Sequence, residues 1–279
     1  MTYASPDKEP ITRDNLNEYL KDLAKEFRKR GGTKTPAEII LIGGAAVLAN
    51  YGFRELTYDV DAIIVASSAM KDAINRVGDR HGLPHGWLNA DFKRTASYSD
   101  RLIEVSVYYR TFSNIVTIRT VAAEYLLAMK LMSGRQYKND LSDIVGILWE
   151  HQKTGKPISR KSVEKATESL YGKDAEIPET SMQLLSAVFA SGDYETLYRA
   201  TCESELESKK LLLEFERNYP NTLNGENIDS ILNAGRGKRR EGQKDSMLAK
   251  LEEKKQLVEK NKQSLDTIAG HDKNRREPR

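Results

Sequence analysis

Asp59 and Asp61 stand two residues apart, fifteen and seventeen positions after Gly44 in the run EIILIGGAAVLANYGFRELTYDVDAIIV, Glu38 to Val65. Side chains two apart on a strand share a face, so the two carboxylates project together. Adjacent carboxylates repel unless a cation sits between them, and Mg²⁺ is the usual answer. Gly43-Gly44 ends the preceding apolar run and opens a short helix. A glycine turn at a helix start lets phosphate oxygens approach backbone N–H groups. Together these parts specify a site for a metal-bound triphosphate.

Further side chains could complete such a site. Phosphoryl transfer by two metal ions, about 3.5–4 Å apart, needs a carboxylate cage that two aspartates begin and a third closes. Glu104, in LIEVS, is the candidate third metal ligand from a later strand, with Asp100 a weaker substitute because it precedes that strand. Lys130 lies in the apolar stretch Leu126–Met132, where burying an ammonium is costly unless an anion meets it. A triphosphate, Asp140 or Asp143 would each serve. Its replacement by methionine is accordingly expected to keep or raise stability. Arg135 offers a planar fork to a second phosphate oxygen. Arg54, between the glycines and Asp59, could meet a phosphate or pair with Glu55 or Asp59.

The glycine turn and the Asp59-Val60-Asp61 triplet resemble the nucleotidyltransferase superfamily signature, hG[GS] followed by h[DE]h[DE]h, with Tyr58 in place of an aliphatic residue. The segment from Lys130 through Arg135 to Asp140-Leu141-Ser142-Asp143-Ile144 resembles an element of the abortive-infection (AbiEii- and MenT-like) toxin branch. The resemblance covers roughly residues 36–150. It implies an NTP- and Mg²⁺-dependent enzyme with two ions, in which Lys130 and an aspartate of the following helix join Asp59 and Asp61. Arg54 and Thr57 sit where relatives often carry Arg and Thr, and Trp87-Leu88-Asn89 also resembles a motif of a bacterial branch. The implied acceptor is a hydroxyl on RNA, such as a tRNA 3′ end, or on protein. Such relatives often act as toxins, in phage defence, with a cognate antitoxin protein as partner. A non-catalytic antitoxin or binding protein of the same fold, and a small-molecule, aminoglycoside-type transferase, are the alternatives.

The elements that must position these residues follow from periodicity. Leu16, Leu20, Leu23 and Phe27 predict a helix over 12–29. Strands are predicted at 39–42, 60–65, 102–108 and 115–118, the last two as a hairpin across the Thr111–Asn114 turn. A helix capped by Ser67 or Ser68 is predicted to run to about Asp79, and Leu83–Lys93 to form a loop. From Thr120, as cap, the pattern turns helical: 121–132, 139–151, 159–171, 178–190 and 194–219. Strands early and helices late predict an α+β fold, with a small mixed sheet as the nucleotidyltransferase core. Three parts are expected: residues 1–120 as α/β core, 121–220 as a helical domain completing the site, and 221–279 as a charged, flexible tail. Asn221–Gln243 is predicted as linker and Met247–Leu265 as a lone helix, so truncation after Asn221 is expected to preserve folding.

Composition sets the outer bounds. The chain has 279 residues, 39% hydrophobic and 30% charged, as suits a globular protein. No run is long enough to span a bilayer and MTYASPDKEP lacks an apolar signal core, so no membrane partner and a cytoplasmic location are expected. Cys202 is the only cysteine, which excludes an intrachain disulfide or a cysteine metal cluster. His81 and His85 are separated by glycine and proline that forbid a helical zinc pair. No Walker, dinucleotide-binding or nucleophile-elbow motif occurs. Net charge is +3, and from Asn224 onward 14 Lys+Arg face 10 Asp+Glu, a local excess of +4. That excess could hold an RNA backbone.

Overall fold

A computed structural model describes residues 10–32, 35–225 and 227–240. Its centre is a five-stranded mixed sheet in the order β5-β4-β2-β7-β6. The strands are β2 (Ala37–Leu41), β4 (Val60–Val65), β5 (Leu88–Asn89), β6 (Ser106–Phe112) and β7 (Val116–Val121). β1 (Ile11–Thr12) and β3 (Leu56–Thr57) form a separate two-stranded ribbon. The fold is α+β as expected, and the sheet is mixed: β2 is antiparallel to β4 and parallel to β7. Strand β2 reads as a nearly continuous apolar run because both of its faces are covered; Ile39, Ile40, Leu41 and Ile42 are fully buried.

The helices before and between the strands form for local reasons. Thr12 caps α1 (Arg13–Phe27) through a capping box with Asn15, and Leu16, Leu20, Leu23 and Phe27 form its buried stripe. α2 (Gly43–Asn50) is apolar throughout and buried from Ala45 to Leu48. α3 (Ala69–His81) ends on Gly82 in the left-handed region. α1 packs on α3, where Tyr19 meets Trp87 and His81. After the sheet come α4 (Ala123–Ser133), α5 (Asp140–Lys153) and α6 (Arg160–Tyr171), with α4 against both of the others.

Several local expectations shift. Leu102–Val105 is not strand: Asp100–Leu102 is a 3₁₀ turn and β6 begins at Ser106. The predicted hairpin is present, displaced to pair Phe112 with Val116 across Ser113 and Asn114, both at positive φ. Thr120 is a buried residue of β7 rather than a helix cap, and α4 starts from Ala122 with no side-chain cap. Ser68 occupies the N-cap of α3 without a capping bond. Leu88–Asn89 adds a short parallel strand beside Val60–Asp61 where a loop is predicted.

Two compact units divide the chain, one running to Ser181 apart from Gln136–Lys138, the other holding those three residues and the chain from Met182. The first unit thus carries α4, α5 and α6 together with the sheet. The second unit contains most of α7 (Glu179–Ser191), then α8 (Tyr194–Asn218) and α9 (Ile228–Arg240). α9 corrects the linker expectation for Asn221–Gln243. It packs on α8 and buries Ile228 and Leu232, a short apolar stripe that polar composition hides. Truncation after Asn221 would thus strip apolar cover from α8. The predicted helix at Met247–Leu265 lies outside the described residues. Among the described residues, no helix is long and apolar enough to cross a membrane.

Candidate active site

The glycine turn is built by two different requirements. Gly43 adopts φ +53°, a left-handed conformation that side chains disfavour. A Cβ on Gly43 would stand 3.7 Å from Asp61 Oδ2, which places the Asp61 carboxylate beside the turn. Gly44 is needed for space: a Cβ there would stand 2.9 Å from Arg54 Nη2 and 3.1 Å from Thr57 Oγ1. The turn thus has Asp61 on one side and Arg54 on the other. α2 begins at Ile42 without a side-chain cap, and the Ile42 amide is taken by the Asp61 carbonyl, which ties β4 to the turn. Asp59 precedes β4 and is exposed; its carbonyl accepts from the Thr57 hydroxyl.

Behind Arg54 lies a buried ionic network. Arg54 Nη1 donates to both Asp143 oxygens, at 2.8 and 2.7 Å, and Nε donates to the Leu56 carbonyl at 3.2 Å. Lys130 Nζ lies 2.7 Å from Asp140 Oδ1 and 2.8 Å from Asp143 Oδ2. Arg135 Nε lies 2.7 Å from Asp140 Oδ2, and the Ser133 hydroxyl donates to that same oxygen at 2.8 Å. Exposure is 6% for Lys130, 1% for Asp140 and 2% for Asp143, so the network is desolvated. Of the three anions that could meet Lys130, the two helix aspartates are the ones in contact. The Arg135 fork is engaged by Asp140.

These contacts set the protonation states. Burial alone would lower the Lys130 pKa, but Asp140 and Asp143 outweigh it and hold the ammonium above the ordinary lysine range. Burial would raise the Asp140 pKa, but Lys130 and Arg135 reverse that and hold the carboxyl well below the usual range. A carboxylate depressed in the folded state contributes stability above its unfolded pKa, about 3.9, and loses it as pH falls toward the folded value. Urea unfolding of the wild type is therefore expected to lose stability below about pH 4. The same titration of Asp140→Asn should show a shallower acid slope; parallel curves would remove Asp140 from the acid response.

Glu104, the expected third carboxylate, precedes β6 rather than lying within a strand. It lies exposed in the turn before β6, its amide donating to the Arg101 carbonyl. β2 and β7 intervene between β4 and β6. Its position before β6 gives Glu104 no strand register with Asp61. Among the described residues, no three His, Cys, Asp or Glu side chains converge as a metal site. Asp61 is the carboxylate the structure places at the turn, with Asp59 exposed two residues before it.

Sequence reading missed what holds Arg54. Phe53 lies against Gly146 of α5, whose hypothetical Cβ would stand 2.6 Å from the Phe53 ring. The Tyr51 hydroxyl meets His151 Nε2 at 3.2 Å. A lone glycine inside an apolar helical pattern was the available signal, since it marks close approach. Gly44→Ala should displace Arg54 while leaving the sheet intact. A drop in nucleotide affinity of about tenfold or more is expected, read by equilibrium binding, with the thermal midpoint changed by a few degrees at most.

Residues 18–152 match the model of a family described as a nucleotidyltransferase of unknown function (DUF6036). No curated protein and no solved structure matches the chain. The matched span holds the glycine turn, Asp59, Asp61, Arg54, Lys130, Asp140 and Asp143, and ends within α5. Over this span the chain is similar to nucleotidyltransferases.

Proposed function

We propose that this chain is a metal-dependent nucleotidyltransferase that moves a nucleoside monophosphate from an NTP to an acceptor hydroxyl. The observation that carries the reading is the glycine turn flanked by Asp61 on one side and Arg54 on the other. The donor types fit Mg²⁺: Asp61 stands beside the turn, and strand alternation would bring the Asp59 carboxylate to the same face, with triphosphate oxygens and water to fill an octahedron. Asp59 and Asp61 would hold the ion. Bound there, it supplies neutralisation of the triphosphate and acidification of the attacking hydroxyl. The turn amides would take phosphate oxygens, and Arg54 would offset charge on the departing pyrophosphate. Lys130, Asp140 and Arg135 would act from behind, fixing the α4–α5 frame. Asp59 and Asp61 would hold one ion; a second would call on Glu104 or on substrate oxygens.

Within the class, similarity to the abortive-infection branch supports a toxin role with an antitoxin partner, and the basic excess after Asn224 supports an RNA acceptor, for which a tRNA 3′ end is the choice to test first. One observation favours a second reading: among the described residues no three His, Cys, Asp or Glu side chains converge as a metal site, so the chain could be a non-catalytic binding protein of this fold. Incubation with each α-labelled NTP, Mg²⁺ and total tRNA or cell lysate separates the two. Labelled RNA or protein is expected; no transfer from any NTP would leave the non-catalytic reading.

A further inference from the structure

The segment between α2 and β4, residues 51–57, is docked along one helix at three points. Tyr51 meets His151, Phe53 fills the space over Gly146, and Arg54 is held by Asp143. Residues 143, 146 and 151 lie within one broad face of α5 by helical periodicity. Each contact has a distinct physical basis. His151 Nδ1–H can donate to the Lys156 carbonyl at 3.3 Å, a tautomer that leaves Nε2 to accept from the Tyr51 hydroxyl. Phe53 stacks on Tyr51 with centroids 5.7 Å apart, and only glycine at 146 leaves room for its ring. Asp143 takes Arg54 through Nη1 alone.

That last detail decides what remains available. Nε is used by Leu56 and Nη1 by Asp143, while Nη2 has no hydrogen-bond partner among the described residues. Nη2 is also the atom closest to where a Gly44 Cβ would be. A guanidinium fixed on two of its three nitrogens presents the third with little rotamer entropy left to lose.

We infer that Asp143 is a positioning residue: together with Gly146 and His151 it docks residues 51–57 on α5 so that Arg54 Nη2 meets a phosphate oxygen at the glycine turn. The inference rests on the reading of that turn as a triphosphate site. It gives Asp143 no contact with metal or reacting atoms; its effect passes through Arg54. Lys130 then matters to phosphate binding indirectly, by sharing Asp143.

Calorimetric titration with inorganic tripolyphosphate and Mg²⁺ tests this without needing the acceptor or the base. The proteins are the full chain, Arg54→Lys, Asp143→Asn, the double variant and Gly146→Ala, each with its thermal midpoint measured. Arg54→Lys and Asp143→Asn should each weaken binding about tenfold or more. The double variant should bind within about twofold of Arg54→Lys, because Asp143 acts through Arg54. Gly146→Ala, which leaves every charge in place, should also weaken binding, and it carries the test if Asp143→Asn does not fold. Additive losses in the double variant, or unaltered affinity in Asp143→Asn or Gly146→Ala, would overturn the inference while leaving the phosphate site standing. Failure of the wild type to bind tripolyphosphate would overturn both.

Discussion

Replacing Lys130 by methionine is expected to destabilise the protein by about 3–5 kcal/mol, enough to be measured directly in urea. The lysine bridges Asp140 and Asp143, which are almost wholly buried, so its loss leaves two carboxylates close together with fewer counterions. This reverses the expectation drawn from the apolar neighbours of Lys130 alone, in which an unpaired charge would be removed. Burial is as anticipated; pairing is what changes the sign. Arginine at 130 should recover little, since a planar fork does not fit where a compact ammonium touches two carboxylates. A combined Lys130→Met/Asp143→Asn variant should recover part of the loss, because it removes one of the stranded charges. Wild-type stability in Lys130→Met would show that Arg54 and Arg135 suffice to neutralise the pair.

Asp61→Ala is expected to lower label transfer by about 10³-fold or more, the rate equivalent of several kcal/mol of transition-state stabilisation at a metal. Stability should move by no more than about 1 kcal/mol. Asp61 sits half-buried beside the glycine turn, and relief of its repulsion from Asp59 offsets the removal of its own packing and polar interactions. Transfer by Asp61→Ala at the wild-type rate would assign the carboxylate a structural role. A stability drop of several kcal/mol with transfer intact would say the same by another route. Glu104→Gln is the internal contrast, expected to transfer normally because its carboxylate lies in the exposed turn before β6, outside the strand–helix–strand unit that carries Asp61.

Much of the site was legible because it is local in the chain. Gly43, Gly44, Asp59 and Asp61 lie within one strand–helix–strand unit, where strand period and glycine conformation fix which side chains share a face. The α+β class and most helices were legible for the same reason, since α1, α5, α6 and α8 announce themselves by apolar spacing. The burial of Lys130 followed from its apolar flanks. What tertiary structure decided was partnership across distance. Arg54 and Asp143 are 89 residues apart, and no spacing rule distinguishes Asp143 from Glu55 or Asp59 as the partner of Arg54. Glu104 is the complementary case: its local pattern suits a strand carboxylate, but the chain turns there and β6 starts only at Ser106. Periodicity reports which way a side chain points. Packing of one element against another determines what it meets there, and for buried charges that determines the sign of their contribution.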